Sequence, residues 1–220
     1  MDALKKDIDD GLTDKKHYEG AKSLVLSILE HYLKETGEIH MPTVVGAAAA
    51  ICGERALRLC HPEIYKASSQ YIRSEDVENL VFWGDEESLS LTEIVLYFSS
   101  AKGGFSSNQD WFNDIIFRTL AAFGGDLFPA LSTPEDYFLH EWSPNAQPVF
   151  RGLVDFISAN HDIKDLDLVN MLATAVGTMI EMAEDIEGDC NDKDILVQLA
   201  FEIMYGCACI PPVIDKVGSR

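Results

Sequence analysis

The chain has 220 residues, of which 47% are hydrophobic and 25% are charged. At this length a core can bury roughly 70% of the surface of the unfolded chain. The 37 acidic and 17 basic residues give a formal net charge of -20. Charge of this sign repels the phosphates of nucleic acids and the anionic surfaces of membranes, so we expect neither nucleic acid nor membrane as a partner.

Two helices are predicted in the first part of the chain. Apolar residues recur at helical spacing over residues 13–37, which predicts an amphipathic helix that ends at a glycine. A second helix is predicted over residues 42–60, because Pro42 suits the first turn of a helix. Residues 46–53 of this helix are almost all small. We therefore expect the backbone of a neighbouring element to approach this stretch closely.

The middle of the chain contains several signals for helix starts and stops. Ser90 stands three residues before Glu93, the spacing of a reciprocal capping box, and predicts a helix that ends at Gly103-Gly104. Thr133-Pro134, followed by two acids, predicts the start of another short helix. Further helices are predicted around Tyr65 and over residues 75–83, 108–123 and 147–160.

Two long helices are predicted at the C-terminal end, over residues 165–187 and 192–209. Both are apolar on nearly every face apart from their ends, which is typical of helices in the middle of a bundle. No stretch alternates like a strand, and no linker or repeat divides the chain. We therefore predict an all-α protein, a single-domain bundle of about eight helices over residues 1–220 with these two apolar helices at its centre.

The cysteines and the N-terminal residues indicate the cellular compartment. Five cysteines are an odd number, and residues 1–14 are mostly charged and unlike a signal sequence, so we expect a cytoplasmic protein. The longest apolar run, residues 195–214, is interrupted by polar residues, a glycine and a proline pair, and predicts no membrane segment. The thiols lack a Cys-x-x-Cys pair and are expected to be buried structural groups. They are Cys52, Cys60, Cys190, Cys207 and Cys209.

The most distinctive feature is the acid-rich joint between the two C-terminal helices, residues 181–194. It contains one base, Lys193, and seven acids: Glu181, Glu184, Asp185, Glu187, Asp189, Asp192 and Asp194. Glu181, Glu184 and Asp185 are three and four residues apart, so they share one helix face and repel one another. Near a helix C-terminus the dipole disfavours each negative charge by a few tenths to about 1 kcal/mol. We expect a cation or a basic partner to offset them, and predict a partner-binding surface formed by these three residues and Glu187.

The other acids of the joint have simpler explanations. Asp189, Asp192 and Asp194 precede or open the last helix, where carboxylates are favourable caps. A calcium loop is excluded, because the glycine at the sixth position of Asp-x-Asx-x-Asx-Gly is absent after either Asp185 or Asp189. An acidic corner surrounded by solvent is the alternative for the whole joint, since runs of charge are usually solvated.

The adjacent pair His161-Asp162 is a second candidate site. Adjacent His and Asp occur in all-helical metal-dependent phosphohydrolases, and His140 and Asp185 would complete a metal site of that kind. The pair lies, however, in an apparent loop between helices, so an exposed turn is the alternative. No nucleophile elbow, nucleotide-binding loop or His-Glu-x-x-His motif is present, and no cofactor is expected.

Three functions are compatible with these features. The first is a non-catalytic binding or regulatory protein that docks a basic protein surface through the acid-rich joint, which explains both the charge and the missing catalytic motifs. The second is a metal-dependent hydrolase of a phosphorylated small molecule, with Glu181, Asp185 or the His161-Asp162 pair among its ligands. The third is a carrier that holds an apolar ligand between the two C-terminal helices. The sequence resembles no family that we recognise, and it leaves homo-oligomerisation open.

Overall fold

The computed structural model describes residues 15–66, 71–85, 88–100, 109–123, 131–141, 143–186 and 190–210. Within these residues the chain forms eight α-helices and no strand, which confirms the predicted all-α class. The helices are α1 (Lys15–Thr36), α2 (Met41–Cys60), α3 (Glu75–Glu78), α4 (Leu91–Ser99), α5 (Gln109–Ala122), α6 (Ala146–His161), α7 (Asp165–Met182) and α8 (Lys193–Ala208). A π-helical turn, Asn79–Trp83, continues α3, and 3₁₀ turns occur at Pro62–Lys66, Glu135–Tyr137, Ser143–Asn145 and Ala183–Asp185.

Helix α2 is the axis of the bundle, and 16 of its 20 residues are buried. It packs against α6, α7 and α8. At Gly53 the α8 backbone comes so close that an added Cβ would lie 2.1 Å from the Met204 carbonyl oxygen. The close approach predicted from the small residues 46–53 is thereby confirmed, because no larger side chain fits at this crossing.

The two apolar C-terminal helices, α7 and α8, are central as predicted. Helix α7 packs against α1, α2 and α4, while α8 packs mainly against α2. An added Cβ on Gly177 of α7 would lie 2.7 Å from the Val95 carbonyl oxygen of α4, so this contact is also close. Helices α7 and α8 each pack more extensively against α2 than against each other.

Helix α7 and the turn after it have a composition that also suits a membrane span. The segment Asp165–Asp185 is long and apolar enough to cross a bilayer. In the bundle, 67% of its most apolar stretch is buried inside the protein. Packing at the centre of the fold therefore accounts for the apolar composition of this helix.

Several helix ends follow the signals in the sequence. The Ser90 hydroxyl accepts a hydrogen bond from the Glu93 N–H at 3.2 Å, and the Glu93 carboxylate accepts one from the Ser90 N–H at 2.9 Å. This arrangement confirms the predicted capping box. The Asp192 carboxylate accepts hydrogen bonds from the N–H groups of Asp194 and Ile195, which confirms its predicted role as a cap.

Some of the predicted helices are shorter than expected. Thr133 does not cap a helix, because only the 3₁₀ turn Glu135–Tyr137 follows Pro134 and the Thr133 hydroxyl has no hydrogen-bond partner among the described residues. Helix α7 ends at Met182 instead of residue 187, and Ala183–Asp185 tightens into a 3₁₀ turn. The α-helix thus stops within the cluster of acids, where its dipole disfavours negative charge.

One hydrophobic core joins the described helices, with buried residues contributed by each of the eight. The prediction of a single domain over residues 1–220 extends beyond the described residues and stays a prediction. The predicted helix stop at Gly103-Gly104 and the predicted cap Asp189 also lie outside the described residues. Helix α4 ends before that stop, at Ser99.

Two carboxylates in the core are tied to arginine. Glu54 of α2 is 2% exposed, and its Oε1 lies 3.1 Å from Arg151 Nε of α6. Arg58, one turn further along α2, also pairs with Glu54. Glu202 of α8 is 1% exposed and accepts a hydrogen bond from Arg118 of α5 at 2.7 Å. Because buried charge is tolerated only when it is paired, these contacts fix how α6 docks on α2 and how α5 docks on α8.

Candidate functional site

The described part of the acid-rich joint lies where α7 ends and α8 begins. Helix α8 begins at Lys193, and the ammonium group of this residue lies beside the end of α7. Its Nζ lies 2.8 Å from Glu181 Oε2 and 3.1 Å from Glu184 Oε2. The Lys193 side chain is 13% exposed, whereas those of Glu181 and Glu184 are 45% and 67% exposed. The chain itself therefore supplies the cation that the crowded acids were predicted to need.

The electrostatics of Lys193 reflect this pairing. Desolvation opposes its charged form, but the hydrogen bonds to Glu181 and Glu184, with the attraction of their charges, outweigh that effect and raise the pKa of the ammonium. Lys193 therefore remains charged at neutral pH. It also places a positive charge at the negative end of the α7 dipole, which stabilises the joint.

A cavity of about 540 Å³ opens beside the Lys193 pair, and we call it the acid-rich cavity. Four of its lining residues are acidic and one is basic, so it is net negative with Lys193 in place. Asp185 is exposed on the turn that follows α7, and Glu187, the fourth predicted contact, lies outside the described residues. The lining residues are Ser100, Glu181, Glu184, Asn191, Asp192, Lys193 and Asp194.

The other predicted pair, His161-Asp162, lies at the opposite end of α7. His161 is the last residue of α6, and Asp162 follows it in a left-handed conformation and pairs with Lys164 at 2.8 Å. The 18 residues of α7 lie between this pair and Asp185. At 1.5 Å per residue the separation is roughly 27 Å, so the structure does not bring Asp185 to the pair. No three His, Cys, Asp or Glu side chains of the described residues form a group that could hold a metal ion.

All five cysteines are described, and none of them forms a disulfide. Cys52, Cys207 and Cys209 are buried, as predicted for structural thiols, while Cys60 and Cys190 are half-buried. Burial raises the pKa of the Cys209 thiol to about 12 and raises the pKa values of Cys52 and Cys207 further. The three buried thiols are therefore protonated at neutral pH and unreactive as nucleophiles.

A second cavity, of about 280 Å³, has no signal in the sequence. It lies where the end of α1, the α1–α2 turn and residues 140–141 meet, and it holds three of the six histidines of the chain. One hydrogen bond between its walls joins Thr43 and His140, which are 97 residues apart, so no local motif connects these walls. We call it the histidine cavity. Its lining residues are His31, Tyr32, Glu35, Thr36, Glu38, His40, Thr43, His140 and Glu141.

Hydrogen bonds and ring stacking hold the histidine cavity together. The Thr43 hydroxyl oxygen accepts a hydrogen bond from the His140 N–H at 3.0 Å and lies 2.8 Å from His40 Nδ1. Its own proton is then available to the Nδ1 of a neutral His40. The rings of His40 and His140 stack with centroids 3.8 Å apart and planes 10° apart. On the other wall, the Tyr32 hydroxyl donates a hydrogen bond to the Glu141 carboxylate.

Two side chains of the histidine cavity have shifted pKa values. Desolvation, together with the neighbouring His140, lowers the pKa of His40 below its ordinary value of 6.5, against the opposing effects of the Asp136 backbone and Glu38. Desolvation raises the pKa of the Tyr32 phenol, and its hydrogen bond to Glu141 adds to the increase. Both side chains are therefore neutral at pH 7.

No protein family matches this chain, and no curated protein or solved structure matches it either. The acid-rich cavity and the histidine cavity are two candidate sites. They differ in chemistry: the acid-rich cavity contains an ammonium group among carboxylates, whereas the histidine cavity has carboxylates among aromatic rings.

Proposed function

We propose that this protein is a non-catalytic binding protein whose acid-rich cavity docks a lysine or arginine side chain of a basic protein partner. The main support is the Lys193 ammonium, which two carboxylates hold at 2.8 and 3.1 Å. The end of α7 is thus already arranged to bind an ammonium group. A basic side chain entering the cavity would find further carboxylates of the same kind along its walls.

The charge that remains after this internal pairing favours a cationic partner. Four acids line the cavity, and the charge of Lys193 offsets one of them, so three negative charges remain. In a chain of net charge -20 the field around the cavity accelerates encounters with a basic surface. Binding of this kind weakens as salt is added, because charges farther apart than about 8 Å are screened at physiological ionic strength.

The test compares two double variants with the same change in net charge. The joint variant carries Glu181→Gln and Glu184→Gln. The control carries Glu19→Gln and Glu30→Gln, which are also exposed carboxylates paired with lysine, but on α1. The probe is a fluorescent oligolysine peptide, and its affinity is measured by anisotropy at low and at high salt.

We expect the joint variant to bind the peptide at least about tenfold more weakly than the unmodified protein, a loss of about 1.4 kcal/mol. Its salt dependence should also be shallower, since fewer charges contribute. The control should change the affinity by less than about threefold, as exposed ion pairs contribute little. Equal losses in the two variants would contradict the proposal, because binding would then follow net charge and not the cavity.

A further inference from the structure

The histidine cavity has an unbalanced charge. Its described lining residues include no lysine or arginine, but three glutamates, Glu35, Glu38 and Glu141. With the histidines in their neutral form, the cavity therefore carries three negative charges. A concave surface of one sign raises the local concentration of small ions of the opposite sign.

Some polar groups of this cavity already have hydrogen-bond partners within the described protein, and others do not. The Glu141 carboxylate accepts the Tyr32 hydroxyl, and His40 faces the Thr43 hydroxyl. The carboxylates of Glu35 and Glu38, in contrast, make no hydrogen bond or ion pair with any residue that the structure describes. Both therefore keep their full capacity to accept hydrogen bonds from a ligand.

The walls between these carboxylates are aromatic. His31 packs edge-on against Tyr32, with ring centroids 5.3 Å apart. The stacked rings of His40 and His140 form another wall. Aromatic faces attract organic cations, most strongly those of tryptophan and tyrosine, and they also provide apolar contact for the carbon atoms of a ligand.

We infer that the histidine cavity binds a small organic amine, with its ammonium group at Glu35 and Glu38 and its carbon chain against the rings of Tyr32, His40 and His140. The size of the cavity limits the ligand. At about 280 Å³ it lies just below the roughly 300–1,000 Å³ of pockets for drug-sized molecules, so a small aliphatic amine fits better than a cofactor. This site is separate from the acid-rich cavity and shares no lining residue with it.

The same geometry makes amine binding sensitive to pH. Protonation of His40, whose pKa lies below its ordinary value, would add a positive charge beside the glutamates. Affinity should therefore fall as the pH drops below the ordinary histidine value of about 6.5. His140, Glu38 and the Asp136 backbone act on the His40 ring directly. The other titratable side chains that line the cavity with His40 are His31, Tyr32, Glu35 and Glu141.

The test uses n-butylamine as the probe and n-butanol as its uncharged counterpart. The protein is labelled at histidine, and the ring C–H signals are followed by NMR during titration with each compound. Three histidines lie in the cavity, and the other three, His17, His61 and His161, serve as internal controls. We expect saturable shifts of the signals of His31, His40 and His140 with the amine and none with the alcohol.

Two variants locate the binding site. Glu35 and Glu38 are exposed, so Glu35→Gln with Glu38→Gln leaves the fold intact and should weaken amine binding at least about tenfold. The variant with Glu181→Gln and Glu184→Gln should bind the amine as the unmodified protein does.

Three results would overturn the inference: equal shifts with butanol, unchanged affinity in the Glu35 and Glu38 variant, or an affinity loss confined to the joint variant. None of them affects the peptide experiment, whose outcome depends on the acid-rich cavity. Failure at one site is therefore distinguishable from failure at the other.

Discussion

Replacing Gly53 with alanine tests the packing at the centre of the bundle. The added Cβ would lie 2.1 Å from the Met204 carbonyl oxygen and 3.0 Å from the Ala208 amide nitrogen. Both atoms belong to the α8 backbone, which cannot move aside as the tip of a flexible side chain can. Overpacking a core typically costs about 1–3 kcal/mol, and this backbone contact lies at the severe end of that range.

Alanine is favoured over glycine in a helix by about 1 kcal/mol, which offsets part of the packing cost. The net loss of unfolding free energy expected for Gly53→Ala is therefore about 2 kcal/mol or more. Urea titrations followed by circular dichroism measure it directly. The midpoint should fall, with a slope close to that of the unmodified protein because the surface exposed on unfolding is nearly the same.

Gly152 of α6 provides the matched control, since an added Cβ there meets no atom within 4 Å. Gly152→Ala keeps the gain in helix propensity without any clash, so we expect it to raise the unfolding free energy by about 0.5–1 kcal/mol. If Gly53→Ala raised the urea midpoint as Gly152→Ala is expected to, the close crossing of α2 and α8 at Gly53 would be refuted.

Three further predictions concern charged and titratable groups. Lys193→Met keeps an apolar stem but leaves Glu181 and Glu184 without their ammonium, so it should cost about 1 kcal/mol of stability at low salt and less at high salt, as measured by urea titration. Folding lowers the pKa of His40 below 6.5, so its contribution to stability is present above that pH and is lost as the pH falls towards the folded-state pKa. His40→Gln should therefore lose less stability than the unmodified protein between neutral and mildly acidic pH, and an equal loss would contradict the assignment. Alkylation followed by mass spectrometry should modify only the two half-buried thiols of the native protein, whereas three buried thiols should react only after unfolding: Cys52, Cys207 and Cys209.

The features that could be predicted from the sequence depend mainly on interactions between residues that are close together in the chain. The capping box at Ser90 and Glu93 needs only residues three apart, and the Asp192 cap needs only the next two N–H groups. The crossing at Gly53 could also be anticipated, because a run of small residues has few uses in a helix other than close packing. Thr133 shows the limit of such signals, since a suitable cap followed by proline and acids still produced only one 3₁₀ turn.

The candidate sites could be predicted only in part, because they depend on contacts between distant elements. The excess of acids at the joint is visible in the sequence, but the position of the Lys193 ammonium between Glu181 and Glu184 depends on how the chain turns from α7 into α8. The histidine cavity could not be predicted from the sequence, for the same reason. His40 and His140 are polar residues in separate parts of the chain, and only the packed bundle stacks their rings.

The buried carboxylates show which acids belong to the fold and which are available for binding. Glu202 is 1% exposed and accepts hydrogen bonds from the Arg118 guanidinium and from both the N–H and the hydroxyl of Ser132. Fixed donors of the protein occupy the lone pairs of the Glu202 carboxylate, so this carboxylate is not available to a ligand. Replacing Glu202 would destabilise the core. Glu181 differs because its side chain is 45% exposed and shares the Lys193 ammonium with a second carboxylate. A carboxylate that is only partly satisfied and open to solvent can accept a second ammonium group beside Lys193, as the proposed docking of a basic partner requires.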